Sequence, residues 1–420
     1  MSGLKVLVVG ASVAGPATAY WLAKAGARVT IIERFPKIRP GGQNVDIRTA
    51  GVSVMRKMVG MEALVRAHSA EVDGVSFVRD NGRSYGTIGA SGDPDQQTLV
   101  SEFEIYRGDL NKILFDMTKD NESVKYIFDE QVAALKQSDD GPVTVEFANG
   151  SPTSKYDLVV ACDGATSRTR AMGFECGVRD HIITLNAWAA YFSLQDDLLQ
   201  GSRIEQGVSA VGGRAIMLGT DPTGPTRATL MTFQPRSKPD TNVAFRQASA
   251  QGTDALKKYV ADYYRGVGWR TETVLKQMMD SKDFYASEIV QVKLPSLSNG
   301  RFVVVGDAGY AAGPTGGGTS LALSGAYMLA GEICKHGAGD LAGGLRGYEE
   351  RMQPLLKDMQ KIPPFVSSIL CPQTAWGVWL RNHIFMLVAW SGIANFVQRY
   401  LGAAFANTKE FPLPEYEWVA

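Results

Sequence analysis

Three strand ends in this 420-residue chain carry residue types and spacings that could hold a nucleotide. The first is Gly10-Ala11-Ser12-Val13-Ala14-Gly15, which follows the apolar run Leu4 to Val9 and precedes a stretch of small helix-compatible residues. A glycine turn between strand and helix offers backbone N–H groups and the positive end of the helix dipole to a pyrophosphate. Glu33 ends the next strand, at the distance where an acid accepts both ribose hydroxyls of an adenosine. Gly10, Ser12, Ala14 and Gly15 are thus assigned to the phosphates and Glu33 to the ribose of an adenine dinucleotide. Ser12 replaces the usual middle glycine, but serine is small and its hydroxyl can bond a phosphate. A carboxylate at position 33 repels a 2′-phosphate, so NADP is not expected in this cradle. The second strand end is Cys162-Asp163-Gly164. The third is Gly306-Asp307, followed by Pro314-Thr315-Gly316-Gly317-Gly318 and a helix from Thr319. Read alone, Asp163 also suits a turn, Asp307 a helix cap, and Arg107 or Arg48 a solvated surface.

These groups need a large core to position them, and the chain is long enough for two domains. Lys+Arg and Asp+Glu balance at 43 each, which gives no global field for nucleic acid or an anionic membrane. The partner expected is a small molecule. Cys162, Cys176, Cys334 and Cys371 form no C-x-x-C pair, and His68, His181, His336 and His383 lack ligand spacing, so no metal site is expected. The first apolar run leads straight into the glycine turn rather than reading as a signal peptide, and a cytoplasmic location is expected. The apolar run 384–397 is shorter than the roughly 20 residues a spanning helix needs.

The expected elements alternate. Strands at Leu4–Val9 and Arg28–Ile32 flank a helix at Pro16–Ala25, and Val52–His68 reads as one helix. Val75–Val78 and Ser84–Ile88 form a hairpin around Asn81-Gly82, and a polar loop follows to Gln97. A helix opens at Glu104–Leu110, and strands at Gln131–Lys136, Val143–Phe147 and Ser154–Ala161 lead to Asp163. From His181 to Phe233 four longer strands, rich in aromatic and β-branched residues, read as an antiparallel sheet covering the first unit. Helices at Asp254–Tyr264 and Thr271–Met279 follow. Beyond Gly306-Asp307, Gly347–Ile362 is an amphipathic helix broken by Pro363-Pro364, and the tail from Cys371 reads as helical to about Ala406.

The ordered set of Gly10 to Gly15 with Glu33-Arg34, Arg107, Asp163-Gly164, Gly306-Asp307 and Pro314 to Gly318 resembles the FAD-dependent aromatic hydroxylases. This is the p-hydroxybenzoate hydroxylase-like group of single-component flavin monooxygenases, and the phrasing around Gly306 to Leu323 is similar to its secondary-metabolism and tetracycline-modifying members. The resemblance implies an α/β fold. An FAD-binding doubly wound (Rossmann-like) domain would comprise 1–73, 99–180 and 281–360. An antiparallel β-sheet substrate domain would comprise 74–98 and 181–280, and a C-terminal helical segment 361–420. It further implies that Arg34, Gly42, Arg107, Asp163, Asp307, Gly317, Gly318 and Ser320 join the cofactor-binding set. Asp307 would accept ribityl hydroxyls, and the helix dipole beyond Gly318 would favour the anionic edge of reduced flavin.

The activity implied is hydroxylation of an aromatic or polyketide-like molecule, with NADPH or NADH reducing FAD and O2 adding at flavin C4a to give the oxygen donor. Other flavin chemistry on the same fold, or a flavin-binding protein without turnover, remains open, because fold does not fix chemistry. For the substrate, one face of Asn186–Phe192 should meet a planar ring, either Trp188 with Phe192 or Tyr191 with Ala189, unless both faces are plain core. Met217, Tyr310 and Pro314 are further lining candidates.

Overall fold

The computed structural model describes residues 3–39, 41–69, 72–89, 103–138, 141–221, 226–362, 369, 371–391 and 412–419. The polar loop expected to Gln97, the Pro363-Pro364 break and the helical run expected beyond 391 lie outside the described residues.

Lys5–Val9 is Val-rich because both of its faces are covered: Val6, Leu7 and Val8 have no exposed surface. It sits inside a six-stranded sheet ordered Ser298–Asn299, Phe302–Val304, Leu158–Ala161, Lys5–Val9, Arg28–Glu33 and Val124–Phe128. All of its pairings are parallel except that of Ser298–Asn299. The strand Val124–Phe128 was not expected from sequence; its alternation is hidden by Lys125 and aromatics that stack on one another. Helices Ala14–Lys24 and Gly318–His336 cross on one face of this sheet, where Trp21 meets Tyr327 edge-on at 4.9 Å. The tail 412–419 straps the same pair: Trp418 lies 4.8 Å from Trp21, and Tyr416 donates to Glu332 at 2.8 Å. This stretch is extended, so the expected helical segment comes down to Ala375–Trp390 within the described residues.

A second, seven-stranded sheet lies over the first unit, ordered Tyr285–Val292, Ile182–Ser193, Arg227–Phe233, Arg214–Gly219, Ile204–Ala210, Gly74–Val78 and Ser84–Gly89. It is antiparallel except where Ile204–Ala210 pairs in parallel with Gly74–Val78. Tyr285–Val292, expected with the first unit, is instead its edge strand. The helix expected over 52–68 is two helices, Ala50–Lys57 and Met61–His68, separated at Gly60, which takes a left-handed φ of 80°.

The alternation along Ile182–Ser193 is reset by a bulge between Thr184 and Ala187. Asn186 adopts φ 52° there, and its amide holds the turn by donating to the Pro235 and Lys238 carbonyls, both at 3.1 Å. Beyond the bulge, Trp188, Ala190 and Phe192 point outward into a core closed by helices Val243–Ala250, Thr253–Tyr264 and Thr271–Asp280. Ala187, Ala189 and Tyr191 point inward. A short ribbon, Asn44–Asp46 paired with Glu104–Tyr106, fills the space between the sheets.

Candidate active site

The glycine turn is as tight as its sequence demands. A Cβ on Gly15 would fall 1.9 Å from the Gly10 carbonyl oxygen, and one on Gly10 would fall 2.7 Å from that of Cys162. Helix Ala14–Lys24 therefore starts against the turn with no side-chain cap, its first N–H groups left for a ligand. Ala14 is packed against Gly306, which joins the first and third strand ends. Glu33 accepts the Ala11 amide at 2.8 Å and that of Phe35 at 3.1 Å, so its carboxylate shapes the turn. Arg107 reaches the same place from the helix Arg107–Asp116: its guanidinium donates to Ser12 Oγ at 2.7 Å. Gly42, with φ 110°, packs on the Arg107 side chain, and Arg34 is exposed beside Phe35.

Asp307 is the decisive group. It keeps accessible surface yet lies deep in the molecule, so it lines an internal cleft. Desolvation raises its pKa, with Arg107 as the opposing charge, and no described residue hydrogen-bonds its carboxylate. A Cβ on Gly318 would come 3.5 Å from Asp307 Oδ1, which places the carboxylate at the start of helix Gly318–His336. That helix has neither a side-chain cap nor an acid in its first turn. A cation, a bare helix start and an unpartnered carboxylate around one cleft fit the phosphates, the pyrimidine edge and the ribityl hydroxyls of FAD.

Two expected cofactor residues are committed elsewhere. Asp163 accepts from Ser167 Oγ at 2.5 Å and from the Thr169 amide and hydroxyl at 3.2 and 3.0 Å. It holds the start of helix Arg168–Gly173 and reaches the cradle only through its backbone, against Gly10. Ser320 has no exposed surface; its hydroxyl accepts the Arg48 amide at 2.8 Å, locking the ribbon to the glycine helix. Gly317 precedes that helix in a right-handed conformation, and Pro314 lies half-buried on the loop before it.

The substrate candidates separate in the same way. Trp188 is stacked on Phe245 at 5.1 Å in the outer core and faces away from the cleft. Tyr310 is buried in the first unit, its hydroxyl 3.1 Å from that of Tyr348. Tyr191 is on the inner face, stacked on Tyr285 at 6.4 Å, and Met217 is half-buried on the same face. Tyr285 in turn lies under Arg107 and Arg39, 5.8 and 5.4 Å from its ring. Burial, then the charges of Arg107 and Arg34, lower the Arg39 pKa.

A group of acids at the ribbon has no motif in the sequence and was missed. Asp46 pairs with Arg48 at 2.7 Å, and Asn44 donates to Glu104 at 2.8 Å. Burial, reinforced by Asp46, pushes the Glu205 carboxyl up to about 7. Burial followed by Asp46 and Glu205 raises Glu104 further. Glu104 and Glu205, crowded by each other and by the charge of Asp46, keep protons that isolated acids would lose. Arg227 ties ribbon to sheet: it bonds Asp221 at 2.8 Å and Asp283 at 3.3 Å, with its guanidinium 4.1 Å from the Tyr106 ring centre.

The family described as "FAD binding domain" matches residues 3–361. The chain belongs to this family and is an FAD-dependent monooxygenase. It is 34% identical over 443 residues to a flavin-dependent monooxygenase of Phoma sp, covering 99% of this chain and 98% of that one. Against a flavin-dependent monooxygenase of an unknown prokaryotic organism it is 35% identical over 422 residues, with 98% and 99% covered. Among solved structures it is similar to the tetracycline destructase Tet(55), with TM-score 0.75, 30% identity, and 99% and 100% covered. FAD, when bound, takes hydride from NAD(P)H and activates O2 for transfer of one oxygen atom. In the monooxygenase chain the Gly10–Gly15 turn with Arg107 would hold the FAD phosphates, and Asp307 would hold its ribityl chain. The inner face of the second sheet would roof the flavin and shield it from water. Among the described residues no helix is long and apolar enough to cross a membrane.

Proposed function

We propose that this monooxygenase hydroxylates a planar aromatic or polyketide-like small molecule, drawing reducing equivalents from NADPH or NADH. The observation that carries the reading is Asp307, a deep, unpartnered carboxylate at the bare start of the glycine helix, beneath an inner face that presents Tyr191, Tyr285 and Met217. Relatives named as tetracycline destructases, matching nearly the whole chain, support a fused-ring substrate class. The four cysteines are free thiols, which suits a reducing cytoplasm. The test is NADPH oxidation by the FAD-loaded protein against a panel of polycyclic phenols and enols, with mass spectrometry of the products. A panel member should accelerate oxidation and gain one oxygen atom. Protein that takes up FAD but whose NADPH oxidation no panel member accelerates would overturn the reading.

A further inference from the structure

The inner face of the second sheet carries opposite chemistries at the two ends of one strand. On Ile204–Ala210, residues 205, 207 and 209 share that face, opposite Gly219, Met217 and Ala215 of the neighbouring strand. At one end, Glu205 stands with Glu104 and Asp46, and Arg48, itself 8% exposed, leaves its buried Nε without a hydrogen-bond partner beside them. At the other end, Arg381 of helix Ala375–Trp390 donates to Ser209 Oγ at 2.5 Å and lies 3.7 Å over the Phe77 ring. Its Nε and Nη1 are buried and unpartnered, as is Oδ1 of the adjacent, 6%-exposed Asn382. Between the two ends the strand has no side chain: Gly207 abuts Met217, whose sulfur would lie 2.1 Å from a Cβ there. An apolar floor of Gly207 and the overlying Met217 is thus framed by an acceptor end and a donor end.

Burying guanidinium N–H groups without acceptors is costly, and so is clustering three carboxyls. Burial lowers the Arg381 pKa to about 10, so it still carries its charge at neutral pH. The helix that brings it is fixed on the sheet by Phe385 against Phe77 at 4.9 Å and by Ala389 against Gly86. From 205 to 209 the strand advances about 13 Å. A hydrogen bond of about 2.8 Å at each end leaves the length of two or more fused rings.

We propose that Glu205 and Arg381 are the two specificity-determining ends of the substrate floor. Glu205 takes a hydrogen-bond donor, a ring hydroxyl, and Arg381 takes a carboxylate or ionised enol oxygen across the ring system. The proposal rests on the monooxygenase reading for the flavin beside the floor, and it adds the polarity of the substrate.

The experiment measures binding to the FAD-loaded protein by perturbation of the flavin spectrum, with no turnover required. The probes are 6-hydroxy-2-naphthoate, 6-methoxy-2-naphthoate and 2-naphthol. The wild type should bind the hydroxy acid at least about tenfold more tightly than either other probe. Arg381→Met should bring the hydroxy acid down to the affinity of 2-naphthol while leaving 2-naphthol unchanged, and Arg381→Lys should restore part of the loss. Glu205→Gln should abolish the preference for hydroxyl over methoxy and spare the preference for carboxylate. FAD content and melting temperature, measured on each variant, report folding. Equal affinities in the wild type, no binding of any probe, or a preference that survives both substitutions overturns the proposal. If the probes discriminate as expected but no substrate ever gains oxygen, the hydroxylase reading fails and the polar floor stands.

Discussion

Two regions of this monooxygenase use the same residue types for opposite purposes. On the outer side, aromatic and acidic groups are spent on the protein itself: Trp188 stacks in a helix-covered core, and Asp163 closes the start of a short helix. On the inner side, Tyr191, Asp307, Glu205 and Arg381 keep some accessible surface and leave hydrogen-bonding or stacking capacity unused. Partial exposure alone does not mark the site, since Asp163 is half-buried as well. What separates the two sides is whether each buried polar group has found a protein partner.

The comparison can be broken by substitution. Trp188→Ala should lower stability by about 3–5 kcal/mol, since a large buried ring is lost from a closed core. The affinity of the surviving folded protein for FAD should not move. A Trp188→Ala protein with wild-type denaturant midpoint would place this ring in the cleft. Asp307→Ala should do the reverse. Each ribityl hydroxyl held by an ionised carboxylate contributes about 1.5–3 kcal/mol, so FAD affinity should fall by a factor of ten to a hundred or more. Apoprotein stability should hold or rise slightly, because a desolvated, unpartnered carboxylate is removed. A dissociation constant equal to the wild type's would reduce Asp307 to a helix cap. Asp163→Ala should cost about 1–3 kcal/mol of stability by orphaning Ser167 and Thr169, with a smaller effect on FAD than Asp307→Ala. Isothermal titration of refolded apoprotein with FAD, beside urea melts of the same samples, reads all three variants.

The cradle was legible because its chemistry is local. The turn Gly10 to Gly15, its flanking strand and helix, and Glu33 lie within one βαβ unit, and the contacts they make are contacts of neighbours. Asp307 was legible through the glycines that follow it. Asp163 carried the same strand-end signal, and only the three-dimensional path of Ser167 and Thr169 shows its carboxylate to be taken. The faces of Ile182–Ser193 were divided correctly, but which face meets the cleft depends on helices 60 residues downstream. Glu205, Glu104 and Asp46 come from three separate strands, and Arg381 from the C-terminal helix. No spacing within the chain could bring them together, because sheet order rather than sequence order does so.

The smallest expected effect is also the most direct probe of the inner side. Glu205 has an ordinary carboxyl pKa near 4.5 when unfolded and about 7 in the folded protein. Between those values the native state binds the extra proton, so stability is fully supported below about pH 4.5 and declines as pH rises toward 7. The groups around it are Asp46 on one ribbon strand with Arg48 two residues beyond, Glu104 and Tyr106 on the other strand, and Arg227 with Asp221 beside Tyr106. Solvent screening of this partly exposed carboxyl limits the loss, which should be on the order of 1 kcal/mol. Urea melts of apoprotein at pH 5.0, 6.0, 7.0 and 8.0 should show that decline in the wild type. In Glu205→Gln the profile should flatten, since the amide cannot ionise and Glu104 and Asp46 lose a like-charged neighbour. A Glu205→Gln profile parallel to the wild type's would mean that the proton resides elsewhere in the cluster, and the acceptor end of the floor would shift to Glu104.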